Sequence, residues 1–163
     1  MRTRLILPAL LFTLTLQSAL ALCQQLTIQN ETGKQTVLSR ADIEALPRVK
    51  VTTGASGSST AAAFEGVLLK ALLEKAGVGF GEPMKGKRMA SCLLVEAADG
   101  YRVVIALPEI DPAFADKQVV LAFLRDGKPL DAKEGPYRIV IPDEKRMARW
   151  VRQVTTLRIV EVQ

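Results

Sequence analysis

The sequence predicts a mainly β, α+β domain: a mixed sheet system with a few short helices. Three observations carry this. Short runs of alternating polar and apolar residues recur along the chain, two Asp-Gly pairs sit between such runs, and only one segment keeps helical periodicity over several turns. No repeat, heptad or long low-complexity stretch competes with that reading.

In chain order, MRTRLILPALLFTLTLQSALA (residues 1–21) places Arg2 and Arg4 before the apolar run Leu5 to Leu16 and ends in Ala19-Leu20-Ala21. That is the pattern of a secretory signal peptide with an A-x-A cleavage site. Gln17 and Ser18 interrupt the run short of the roughly 20 residues a membrane span needs. Lipoprotein processing at Cys23 is disfavoured by Leu22, since it takes a small side chain there. Cleavage after Ala21 leaves residues 22–163 as one domain. The expected location is a bacterial periplasm, with no membrane insertion once the signal is removed.

QLTIQN (Gln25 to Asn30) alternates and ends before the Gly33 turn, so it predicts a first strand. VLSRADIEALP then sets Ser39 three residues before Asp42, a capping-box spacing, and Pro47 stops the short helix. RVKVTTG (Arg48 to Gly54) is a strand, and the small, polar ASGSSTAAA after it is read as a loop. In FEGVLLKALLEKAG, Val67, Leu68, Ala71, Leu72 and Ala76 mark an apolar helix face, with Gly77 at its C-terminal stop. Hairpins are predicted at Asp99-Gly100 and Asp126-Gly127, because glycine supplies the positive φ a two-residue turn requires. Between them PEIDPAFADK predicts a helical turn bounded by prolines. GPYRIVIP and TTLRIVEV supply the last strands, the second closing the sheet.

Composition excludes several chemistries. Histidine is absent, which removes serine–histidine and cysteine–histidine nucleophile pairs and the commonest metal ligand. Cys23 and Cys92 are the two cysteines and cannot complete a structural zinc site without histidine. In an oxidising compartment they are candidates for a disulfide. Without Arg2 and Arg4 the formal charge falls from +5 to +3, and an exported chain of that charge is not expected to bind nucleic acid. The excess is local: from Arg138 to Arg158 six cations face Asp143 and Glu144, so an anionic partner is expected at this end. Glu109, Asp111, Asp143 and Glu144 lie in proline-bounded turns where capping and solvation account for them.

FEGVLLKALLEKAGV, AADGYRVVIALPEID, VVLAFLRDGKPL, GPYRIVIP and RWVRQVTTLRIVEV together resemble, in order, the molybdopterin-binding domain of sulfite-oxidase-type oxidoreductases in a small, exported, stand-alone form. The resemblance implies a mixed α+β fold and an anionic molybdopterin cofactor held by arginine, lysine and backbone donors. It places Arg138, Lys145, Arg146 and Arg149 as the cofactor- or anion-binding residues. It also implies a molybdenum-ligating cysteine roughly a dozen residues before Gly66, where this chain has TTGASGSS. A hydroxyl is a poor substitute for a soft thiolate. Cys92 follows the predicted helix and does not inherit the role. The expectation is therefore a binding or sensing module for a small anionic ligand or a partner protein, such as an envelope sensor. The alternative is a periplasmic molybdenum-cofactor-dependent oxidoreductase subunit with an electron-transfer partner. The plainer reading of the same segment makes Trp150 and Val151 core anchors, and Lys145, Arg149 and Arg152 one solvated helical face.

Overall fold

The computed structural model describes residues 25–54 and 61–161. The predicted signal peptide, Cys23 and most of the TTGASGSS segment lie outside the described residues. The elements follow one another as β1 (Leu26–Gln29), β2 (Gln35–Leu38), α1 (Arg40–Glu44), β3 (Arg48–Thr53), β4 (Ala62–Leu68), α2 (Leu69–Lys75), β5 (Cys92–Ala97), β6 (Arg102–Ala106), α3 (Leu107–Ile110), β7 (Val120–Arg125), β8 (Lys128–Pro129), β9 (Arg138–Val140) and β10 (Val154–Val160).

One sheet runs β2-β1-β10-β5-β6 and the other β3-β4-β7-β8, with β9 also paired to β7. Period-two alternation gives β1 and β5 one buried face each, whereas β9 and the first four residues of β7 are buried throughout. Leu26, Ile28, Leu93, Val95 and Leu157 from the first sheet and Phe64, Val67, Leu121 and Ile139 from the second belong to one continuous core. Each such side chain contributes about 1.5–3 kcal/mol by leaving water.

The predicted local signals form as expected at both hairpins and at α1. Asp126 and Gly127 both take positive φ, and Gly100 has φ 84°. At α1 the capping box closes: Ser39 Oγ accepts from Asp42 N at 3.2 Å, and Asp42 accepts from Ser39 N at 3.0 Å. Those bonds hold the Asp42 carboxyl below its ordinary pKa. The cap is worth about 1 kcal/mol.

Four expectations are corrected. FEGVLLKALLEKAG is half strand: residues through Leu68 form β4, and α2 occupies only Leu69–Lys75. The reason is tertiary, because β4 lies between β3 and β7 and its residues bond to both. Gly66 sits where the β4–β7 register shifts, and a Cβ there would lie 2.1 Å from Leu121 O, so only glycine fits. The supposed loop ASGSSTAAA ends early, since Ala62 and Ala63 open β4 opposite Thr53 and Thr52. TTLRIVEV does not close an edge. As β10 it is the middle strand of its sheet, parallel to β1 and antiparallel to β5. Finally, Lys145, Arg149 and Arg152 do not share a helix face; a single 3-10 turn, Met147–Arg149, is all the helix there is.

Candidate functional site

The strand GPYRIVIP folds as expected: β9 begins at Arg138, and the chain leaves the sheet at Ile141-Pro142. Its pairing with β7 sets Arg138 opposite Ala122. The Arg138 side chain points into a cavity of about 160 Å³ lined by Thr53, Phe64, Arg125, Glu134, Met147 and Trp150. β3, β7 and β9 thus deliver one residue each, and β4 delivers Ala62 and Phe64, to a single site.

Arg138 is only 8% exposed. Its guanidinium carbon lies 5.4 Å from the Phe64 ring centre and 5.6 Å from that of Trp150, and the two rings meet edge to face at 6.0 Å. Such contacts favour the cation and restrict the guanidinium plane. Trp150 Nε1 donates to Ile141 O at 3.1 Å, which fixes the indole. Trp150 is therefore both the core anchor expected and a wall of the site.

The charges do not balance. Arg138 Nη1 donates to Glu134 Oε1, and Arg125 Nη1 donates to the same oxygen at 3.0 Å. Burial is the largest influence on Arg138 and pulls its pKa below the ordinary arginine value. Glu134 opposes this, while the positive charges of Arg125 and Arg152 add to the lowering. Arg138 Nε is buried and has no hydrogen-bond partner among the described residues. Glu134 thus serves both arginines, Arg125 also lies 3.8 Å from the exposed Asp126 carboxylate, and the positive charge of Arg152 is close enough to be felt, so Arg138 has only a shared partner and an unsatisfied Nε. A site of that make-up favours an added anion.

The other three predicted residues lie elsewhere. Lys145 and Arg146 are exposed on the segment after β9 and do not line the Arg138 cavity. Arg149 points away from it: its Nε donates to Glu144 at 2.7 Å, its Nη groups reach Glu109 at 3.3 and 3.4 Å, and Nη1 lies 3.5 Å from Val104 O. Burial alone would raise the Glu109 carboxyl, but hydrogen bonds from Lys117 and Arg149 outweigh it and hold the pKa below the ordinary range. Arg149 is raised for the matching reason: Glu109 and Glu144 outweigh its burial. This cluster pins the Met147–Arg149 turn against α3 and covers a carbonyl on β6, the edge strand.

Asp111 also departs from expectation. It is 2% exposed and accepts from Gly81 N at 2.6 Å and Ala113 N at 3.1 Å, so it is a buried loop anchor rather than a solvated turn residue. Sequence reading missed Arg125, Glu134, Phe64 and Thr53. Of these, only Glu134, just ahead of Gly135-Pro136, carried a local signal.

A two-sheet α+β domain with a buried, aromatic-flanked arginine is the class these features define. Residues 21–163 match the oxidoreductase molybdopterin binding domain, and the chain belongs to that family. Among solved structures it is similar in fold to the sulfane dehydrogenase SoxCD from Paracoccus pantotrophus, with a TM-score of 0.63 and 22% identity over 84% of this chain. The match spans 38% of the SoxCD chain's length. No curated protein matches the sequence.

The described residues of the cavity do not fit the family cofactor. At about 160 Å³ the space is below the roughly 300–1,000 Å³ of clefts that bury drug-sized ligands, the size class of a pterin cofactor, and is of a size only for a smaller group. No wall residue is a thiol. Cys92, half-buried on β5, belongs to the other sheet, opposite Ala106 and Val160. Among the described residues no three metal-ligating side chains cluster.

Proposed function

We propose that this domain is a molybdopterin-type scaffold working as a non-redox binding module. It takes a small oxyanion, a carboxylate or sulfate in size and charge, in the Arg138 cavity. The observation that carries this reading is the pair of arginines sharing Glu134 beside an unpartnered buried donor. Export to a periplasm after loss of residues 1–21, and use by an envelope sensor or other partner protein, belong to the same proposal. Among the described residues, no helix is long and apolar enough to cross a membrane.

In this reading Arg138 and Arg125 supply charge-assisted hydrogen bonds to the anion. Phe64 and Trp150 keep the guanidinium in plane and exclude water, which strengthens those bonds. Glu134 holds both arginines in place and sets the residual charge.

Sulfate and acetate titrated by calorimetry test the idea. Saturable binding that weakens with ionic strength and is lost in Arg138→Gln supports it; no binding by the folded wild type overturns it. Family membership favours the second reading, a molybdenum-cofactor-dependent oxidoreductase subunit passing electrons to a partner. Elemental analysis with pterin fluorescence, on protein from a molybdenum-replete host, separates the two. About one molybdenum per chain would establish the second reading.

A further inference from the structure

A separate cavity of about 250 Å³ lies on the far side of the Met147–Trp150 wall. Its lining is mixed, polar and apolar in equal part: Ala97, Trp150 and Val151 are its buried apolar residues, Asp99 and Arg152 its charged ones, and Tyr101 and Met147 its exposed large side chains. The last two are unusually open for large apolar groups, 49% and 38% exposed. Tyr101 is nonetheless held in place, because its hydroxyl donates to Ala148 O at 2.8 Å. Asp99 and Arg152 stand on the rim and also border a shallower depression beside it. They sit on neighbouring segments tied by Ala98 N donating to Gln153 O at 2.9 Å.

Two opposite charges on one rim would ordinarily neutralise each other. Here they do not: neither Asp99 nor Arg152 forms an ion pair among the described residues. Asp99 accepts from Tyr101 N at 2.9 Å through Oδ1. The second carboxylate oxygen and the whole Arg152 guanidinium are left to solvent. A recess of mixed lining that carries one unpaired anion and one unpaired cation beside apolar side chains is complementary to a zwitterion with an apolar group.

We infer that this cavity binds a free α-amino acid with an apolar side chain. The ligand carboxylate pairs with Arg152, whose fork geometry suits two parallel hydrogen bonds. The ammonium lies between Asp99 and the face of Tyr101, a charge pair supplemented by cation–π attraction. The side chain enters the recess formed by Ala97, Met147, Trp150 and Val151. A volume near 250 Å³ equals that of about eight waters at roughly 30 Å³ each, the scale of a leucine, methionine or phenylalanine. This site and the anion site have different pairing residues, but they share Met147 and Trp150 as lining, and the charge of Arg152 is also felt at Arg138.

The single tryptophan borders both cavities, so its fluorescence reports on each. L-leucine, L-methionine and L-phenylalanine are titrated into the whole domain, with N-acetyl-L-leucine and L-leucinamide as controls that each remove one charge. At least one free amino acid is expected to give a saturable change, and each leucine control to bind at least tenfold more weakly than leucine if leucine is that ligand. Asp99→Asn, which preserves the turn, and Arg152→Gln should each cost a similar factor. Arg138→Gln should leave the amino-acid response within twofold while removing the sulfate response. The inference is overturned if none of the three amino acids responds, or if the capped and free forms bind alike. A sulfate response that survives that outcome leaves the anion site standing.

Discussion

Arg138 and Arg149 occupy the same basic stretch of sequence, yet their surroundings are opposites. Arg138 is buried between two aromatic rings and shares its one carboxylate with Arg125; Arg149 is about one-third exposed and reaches two carboxylates, Glu144 unshared and Glu109 shared with Lys117. The first shares its carboxylate and keeps a buried, unpartnered Nε, whereas the second has a carboxylate to itself. A count of positive charges does not separate an under-partnered arginine from a fastened one. The supply of nearby carboxylates does.

That contrast is broken most severely at Arg138. Arg138→Ala leaves Glu134 and the ring pair without their cation and should cost about 3 kcal/mol in urea unfolding, with Arg138→Ala/Glu134→Gln recovering part of the loss. Arg149→Ala should cost about 1 kcal/mol, because its pairs are partly solvated, and should leave sulfate affinity largely intact. Loss of sulfate binding in Arg149→Ala would instead make the fastening cluster part of the anion site.

Acid sharpens the comparison further. Glu109 has a folded pKa below its unfolded value near about 4.3. Its contribution is therefore complete above that value and disappears as pH falls through the lower, folded one. Wild-type stability should decline across this window, and Glu109→Gln should flatten the decline, as read from denaturation midpoints at pH 3 to 6. The smallest effect belongs to the exposed pair. Lys145→Ala and Arg146→Ala should each shift stability by no more than about 0.5 kcal/mol and alter only the salt dependence of anion binding.

Much of the fold was legible because it rests on local chemistry. Asp-Gly turns, the Ser39–Asp42 box and Pro142 act within a few residues, and all appear where expected. The split of FEGVLLKALLEKAG was not legible, since Val67 and Leu68 satisfy a strand as well as a helix. The decision is made by β3 and β7, which flank it from distant parts of the chain. The site divides in the same way. Arg138 was visible in its motif, whereas Phe64 and Arg125 reach it from β4 and β7 and only the folded chain reveals them. Arg149 was visible for the same reason as Arg138, but its pairing with Glu109 was not, because Glu109 comes to it from α3.

The placement of β10 reaches beyond the site. The strand that joins β1 to the β5–β6 hairpin is the last of the described elements to leave the ribosome. Until residues 154–160 are made, β1–β2 and β5–β6 are two detached hairpins with nothing between them, and isolated hairpins are marginal in water. The first sheet therefore cannot assemble before residues 154–160 are available, although every strand of the second sheet precedes them. A half of the domain that stays open until then suits the threading that the proposed export would require.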